Sequence, residues 1–328
     1  MRYYLRKLGF FLLTLWAVVT LNFLLPRLQP GDPAEIMVQA LAGKNAQLDQ
    51  AQVQAMRDML GTPTGSLLSQ YGDYLGQLVR GNFGVSYTYY PFNVTEVIGQ
   101  AFWWTFILVT VVQVLSFVIG VLLGAFAAWR RNTRFDTNVT LISTFLGSLQ
   151  AFWIALLLIF GLGYGLGWFP TAGGYEQSTP GFNWPFIYDA ISHAFLPALT
   201  LMIVTPIGFI LGMRNTMVMN LGEDYIKLAK AKGLPDRTVA LHYAARNALL
   251  PSVTSFALAL AGVLGGTILV ETVFDYPGLG RLMGEAVSRK DYPLLQTLML
   301  LMAVAALVAN LIADLLYGVL DPRARKAG

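Results

Sequence analysis

The chain has 328 residues, 55% of them hydrophobic and only 12% charged, with a formal net charge of +4 and a mean hydropathy of +0.56. Soluble domains carry about 25% charged residues, so a water-soluble fold is excluded and an all-α polytopic membrane protein is expected. Cysteine is absent and histidine is limited to His193 and His242, which removes disulfides, thiol catalysis and a cysteine- or histidine-rich metal site.

Crossing roughly 30 Å of hydrocarbon takes about 20 apolar residues in a helix. Six stretches satisfy this, at 8–28, 101–129, 138–166, 194–213, 248–270 and 294–320. The first follows Arg2, Arg6 and Lys7, as a secretory signal would. Its length and the absence of a small-residue cleavage site favour a retained signal-anchor. The expected organisation is an N-terminal tail with the first span (1–28), an extracytoplasmic helical segment (29–100), a core of five spans (101–320) and a short tail (321–328).

The basic residues give the orientation. The N-terminus, the 130–137 and 214–247 loops and the tail hold fifteen of the 22 Lys and Arg, in about 57 residues. The other side holds seven in about 122, namely Arg27, Lys44, Arg57, Arg80, Arg281, Arg289 and Lys290. The positive-inside rule then puts both termini and the 214–247 loop in the cytoplasm. Topology therefore accounts for the pI near 9.2, and no nucleic-acid partner is called for.

In the first outer segment, Leu67, Tyr71, Leu75 and Leu78 recur at helical spacing, as do Met56, Met59 and Leu60. Those short amphipathic helices either shape an outer mouth or receive a partner, or simply cover the bundle. The second outer loop, 168–193, has no basic residue, and the third, 271–293, mixes charges with Pro277, Gly278 and Gly280.

Arg27 at an edge aside, Asp314 is the one ionisable residue within the six spans, one turn after Asn310. A buried carboxylate there either locks its helix to a neighbour or couples transport to an ion. Ion-coupled carriers place several polar groups near the midplane on broken helices, and that cluster is missing. Gly120/Gly124, Gly161/Gly165, Gly208/Gly212 and Gly262/Gly266 sit four apart and suit close helix packing. Gly43-Lys44 is followed by Asn45, so there is no phosphate-binding loop, and no catalytic constellation appears. Energy for uphill movement would have to enter through another chain.

The stretch DYIKLAKAKGLPDRTVALHYAARNALLP, 224–251, is basic and helical with a break at Gly233-Leu234-Pro235. Gly233 suits a left-handed helix end. Pro235 suits the first turn of a following helix, and Asp236 the positive end of its dipole. The result is a helix–turn–helix elbow, with Ala229, Ala231 and Gly233 offering a close-contact tip and the lysines offering steering. It is either a solvated basic loop or a docking element.

This segment resembles the cytoplasmic "EAA" loop of ABC importer permeases, and the chain resembles their peptide/nickel/oligopeptide branch, specifically the B-type subunit. The resemblance rests on LPRLQPGDPAE, GNFGVS, QAFWIALLLIFGLGYGLGWFPTAG, HAFLPALTL, the elbow, GTILVETVFDYPGLGRLMGEAVSRKDYPLLQ and NLIADLLYGVLDPRAR, in that order. Lys227 stands where the general motif has Glu, and QAFWWT at 100–105 replaces a basic-x-Pro pattern.

The resemblance implies a six-helix, type I importer-like fold in a bacterial or archaeal cytoplasmic membrane. It implies a sister permease as heterodimer partner, two ATP-binding-cassette ATPases and an extracytoplasmic solute-binding protein. ATP and Mg would be bound by the ATPases, with no catalytic site and no cofactor in this chain. Residues matching the coupling motif are Asp224, Tyr225, Lys227, Ala229, Lys230, Ala231, Gly233, Leu234, Pro235 and Asp236. Di- and oligopeptides are the expected cargo, with nickel complexes or short oligosaccharides as alternatives. A secondary carrier dependent on Asp314 is the rival from another class.

Overall fold

The computed structural model describes residues 2–24, 54, 66–176, 180–181, 183–261 and 267–320, without the side chains of 2–5, 7–8, 261 and 312–320. Among these residues the chain is helical, and its β content is one antiparallel bridge between Val85 and Asn93. The expected helix around Met56, Met59 and Leu60 and the Gly262/Gly266 pair lie outside the described residues.

The helices are α1 (Arg2–Leu24), α2 (Leu67–Val79), α3 (Val94–Trp129), α4 (Arg134–Ser148) and α5 (Ala151–Leu158), the last widening into a π-helical Ile159–Gly165. Then come α6 (Trp184–Val204), α7 (Pro206–Asn220), α8 (Asp224–Ala231) and the three-residue α9 (Asp236–Thr238). A second π-helical stretch, Val239–Ala245, leads into α10 (Arg246–Ala261), followed by α11 (Ile268–Val273), α12 (Leu279–Ser288) and α13 (Tyr292–Leu320).

Among the described residues three helices are long and apolar enough to cross a membrane, namely α3, the continuous α6–α7 rod (Trp184–Asn220) and the Tyr292–Leu311 part of α13. At 1.5 Å per residue the 36 residues of α3 span about 54 Å, so this helix runs well past the hydrocarbon. Thr205 keeps helical angles (φ −62°, ψ −39°), which is why the rod continues into Pro206 although proline donates no hydrogen bond. The helix thus outruns the 194–213 apolar stretch at both ends.

The stretch expected as one span at 138–166 is bent by 94° between α4 and α5. Leu149 (ψ 133°) and Gln150 (ψ 138°) are both extended, so two consecutive residues leave the helical ladder. Gly147, Ser148 and Gln150 stand at this break. The pair counts as a fourth crossing if taken as one span.

The chain divides into two compact units, Met1–Trp103 with Arg281–Leu307, and Trp104–Gly280 with Val308–Gly328. In the first, Asn22 Nδ2 donates to the Gln296 carbonyl (2.9 Å) while Gln296 Nε2 donates to the Asn22 carbonyl (2.8 Å). This reciprocal pair gives the side-chain nitrogens of buried Asn22 and half-buried Gln296 a backbone acceptor each. Tyr71 and Tyr74 of α2 complete the contact, with Thr20 and Asn22 and around the ring of Phe23.

In the second unit, α3 crosses α7 at Gly120 and Gly124. A Cβ on Gly120 would lie 2.5 Å from the Phe209 Cβ, and one on Gly124 would run into the Ile210 carbonyl and the Met213 Cβ. Of the described glycine pairs expected to pack closely, this is the one that brings two helices together. Gly208 and Gly212 have nothing within 4 Å of a built Cβ, and neither does Gly161. Leu108, Val112, Ala155, Ile159, Leu196 and Phe274 belong to one buried cluster of this unit.

Candidate functional site

The elbow begins at α8. Ile226 and Ala229, three apart on one helical face, are 1% and 3% exposed and pack into a cluster with Met213 and Met217 of α7 and Ala128 of α3. The helix ends on Gly233, at φ +76°. Gly233 N donates to the Lys230 carbonyl (2.9 Å) and Leu234 N to the Ala229 carbonyl (3.4 Å), the paired bonds of a Schellman ending.

Pro235 is extended and sits at the N-cap of α9, one position before the expected first turn, and its carbonyl accepts from Thr238 N at 2.9 Å. The following π-helical turn points Val239, Ala240 and Ala244 back into the same cluster, and Asn220 Nδ2 donates to the Ala244 carbonyl at 3.3 Å. Both arms of the elbow are therefore fastened to the end of α7.

The outer face is what remains. Asp224, Tyr225, Lys227, Lys230, Ala231, Gly233, Pro235 and Asp236 are exposed, and Leu234 is half-buried. Lys227 pairs with Asp224 at 2.8 Å and Lys230 with Asp236 at 3.6 Å, and with these exposures each pair contributes at most about 1 kcal/mol. Leu228 (58%) and Leu241 (48%) are the elbow's exposed leucines.

Ala229, expected at the contact tip, lies on the inward stripe of Ile226 at 3% exposure. Exposed Leu228, its neighbour, was not singled out.

Three buried carboxylates went unremarked in the sequence. Asp136, at the start of α4, takes both arms of the Arg214 guanidinium, Nε to Oδ1 and Nη2 to Oδ2, each at 2.9 Å. The hint was an acid in the first turn of a helix that follows a basic run.

Asp291 accepts from the Ser86 hydroxyl, from Thr88 N (2.8 Å) and from Leu294 N (3.2 Å). Glu271 accepts from the Thr267 hydroxyl (2.9 Å) and Gly280 N (2.7 Å), while Leu279 N donates to the Thr105 hydroxyl (2.8 Å).

Around Glu271 the loop is tightly drawn. A Cβ on Gly278 would collide with its carboxylate, and one on Gly174 would lie 2.6 Å from Pro277. Gly173 N donates to the Phe274 carbonyl at 2.9 Å. Burial pushes the Tyr276 phenol well above its ordinary pKa, and the charge of Glu271 adds to this. Tyr276 lies edge-on to Trp104 (5.6 Å), which also stacks with Tyr175 (6.1 Å). Trp104 and Thr105, from the unusual QAFWWT stretch, thus hold the loop in place.

His193 is buried and its Nδ1 lies 2.9 Å from the Asp189 carbonyl. Asn310 is exposed, and the side chain of Asp314 lies outside the described set. Among the described residues no group of three His, Asp or Glu could hold a metal ion.

Residues 120–326 match the family model described as "Binding-protein-dependent transport system inner membrane component". The chain is similar to the oligopeptide transport system permease protein AppB of Bacillus subtilis, 35% identical over 94% of each chain. It is similar to the di/tripeptide transport system permease protein DppB of Pseudomonas aeruginosa, 35% identical over 98% of this chain and 97% of the relative. To the dipeptide transport system permease protein DppB of Escherichia coli it is 33% identical over 99% of both. The match covers both units, the elbow and the outer loops, and the chain belongs to the family of inner membrane components of binding-protein-dependent transport systems.

Proposed function

We propose that this chain is a permease subunit of an ATP-driven importer of di- and oligopeptides, paired with a sister permease. Two ATPases stand on the elbow side and a solute-binding protein on the other. The observation that carries this is the end-to-end similarity to permeases named for oligopeptide, di/tripeptide and dipeptide transport. The elbow supports it. Its outer side carries exposed lysines and leucines, and its inner side is packed against α7.

On this reading the chain crosses a bacterial cytoplasmic membrane six times, with α1 first, residues 29–100 outside, the core at 101–320 and both termini inside. Asp224, Tyr225, Lys227, Lys230, Ala231, Gly233, Leu234, Pro235 and Asp236 meet an ATPase, with Ala229 holding the elbow's shape from within. ATP and Mg sit on the ATPases, so this subunit supplies the passage without hydrolysing anything. Closure of the ATPase pair draws the elbows together and opens the passage outward, and hydrolysis returns it.

The test is competition. With the complete importer in vesicles, uptake of a labelled dipeptide should be blocked by unlabelled di- and tripeptides and be indifferent to a nickel complex or a short oligosaccharide. Inhibition by the metal complex or sugar alone would reassign the cargo.

A further inference from the structure

Arg214 and Asp136 join α7 to α4 through a two-point ion pair. Both guanidinium contacts are 2.9 Å, the planar two-point geometry that a lysine cannot reproduce. Asp136 is 3% exposed and receives a further bond from Asn132 N (3.2 Å), whose φ of 63° turns the 130–133 segment toward it. The carboxylate also lies in the first turn of α4, where the helix dipole favours a negative charge.

The position of Arg214 gives this link its meaning. Met213, its neighbour on α7, is 1% exposed in the cluster with Ile226 and Ala229 of the elbow. One face of α7 grips the elbow, and the adjacent residue grips α4. Farther along, a Cβ on Gly147 of α4 would lie 3.2 Å from Ile207 Cγ2 of α7, tighter than an ordinary van der Waals contact and with an apolar partner.

We propose that Asp136 and Arg214 are positioning residues that make the elbow and α4 one rigid body, so that motion received at the elbow is delivered to the bent α4–α5 pair. This rests on the reading of the chain as a permease driven through its elbow. Neither residue touches cargo or nucleotide. Their role is transmission.

The natural sequence has no cysteine, so two spin labels can be placed at will. Leu141→Cys on α4 (62% exposed) and Glu223→Cys at the start of the elbow are both exposed, and neither is among the residues placed against an ATPase. In the assembled importer the inter-label distance should change by less than about 2 Å between nucleotide-free and ATP-trapped states, no more than an ordinary helix adjustment.

In Asp136→Asn and Arg214→Lys the distance should broaden in both states and shift on trapping. ATP hydrolysis should persist while dipeptide uptake is lost. Exchanging the two residues (Asp136→Arg with Arg214→Asp) should restore a narrow distribution.

A shift in the parent chain of about one helical turn, near 5 Å, would overturn the proposal whatever the variants do. A narrow, unshifted distance in Arg214→Lys with full uptake would overturn it too. Failure of the ATPases to copurify with the parent chain would instead count against the permease reading, since the ion pair acts within this subunit.

Discussion

Ser86 and Asp291, 205 residues apart in the chain, meet as a hydroxyl–carboxylate pair with no exposed surface on either residue. Each comes from a stretch that marks the family resemblance, GNFGVS and SRKDYPLLQ. Asp291 also caps the start of α13 through Leu294 N. Ser86→Ala should cost about 1.5–3 kcal/mol, the loss of one hydrogen bond to a charged acceptor that keeps its donors Thr88 N and Leu294 N. Asp291→Asn should cost about 2–3 kcal/mol, because charged acceptors make the stronger bonds. Thermal unfolding of the purified subunit in detergent reads both, and equal melting temperatures for Asp291→Asn and the parent would refute the assignment.

Tyr89 adds a pH dependence to the same unit. Its hydroxyl donates to Glu285, and burial first, then that bond, raise its pKa from 10.0 to about 12. The folded state favours the neutral phenol. Its contribution is therefore complete below pH 10 and is lost as pH rises through about 12. Tyr89→Phe should remove that step from a plot of melting temperature against pH and leave the neutral range flat. An unchanged alkaline step would show that another group titrates there.

Glycines of the same sequence spacing should behave differently. Gly124→Ala forces a methyl into the Ile210 carbonyl and should cost about 3 kcal/mol or more, the upper range for overpacking. Gly208→Ala meets open space and should stabilise the isolated subunit by about 1 kcal/mol through helix propensity. Melting temperatures of the two variants should move in opposite directions.

The elbow gives a paired test of inward and outward residues. Leu228→Asp should leave the subunit's melting temperature unchanged and abolish copurification of the ATPases. Ala229→Asp should lower the melting temperature, since a carboxylate would enter the Met213–Met217 cluster. Gly233→Ala should cost about 1–2 kcal/mol for a Cβ at φ +76°. Reversed outcomes at Leu228 and Ala229 would mean that the face turned inward here is the docking face.

Much of the architecture was legible because apolar runs and Gly-Pro breaks are local signals. The helix at Leu67–Val79 and the ending at Gly233 both follow from residues within one or two turns. What escaped was non-local. The bend at Leu149-Gln150 falls inside the 138–166 stretch taken as one span, and the Asp136–Arg214 pair joins residues 78 apart. Small residues at the elbow were ambiguous for a different reason. An alanine suits a tight internal contact as well as a docking tip, and only the Ile226–Ala229 stripe, seen against α7, decides between them.

Uptake of labelled dipeptide into vesicles tests the central claim most directly, comparing the lone chain with the complete set of sister permease, ATPases and binding protein. The account predicts accumulation only with the complete set and ATP on the elbow side, and none with the lone chain under a proton or sodium gradient. Gradient-driven accumulation by the lone chain, abolished by Asp314→Asn, would contradict it.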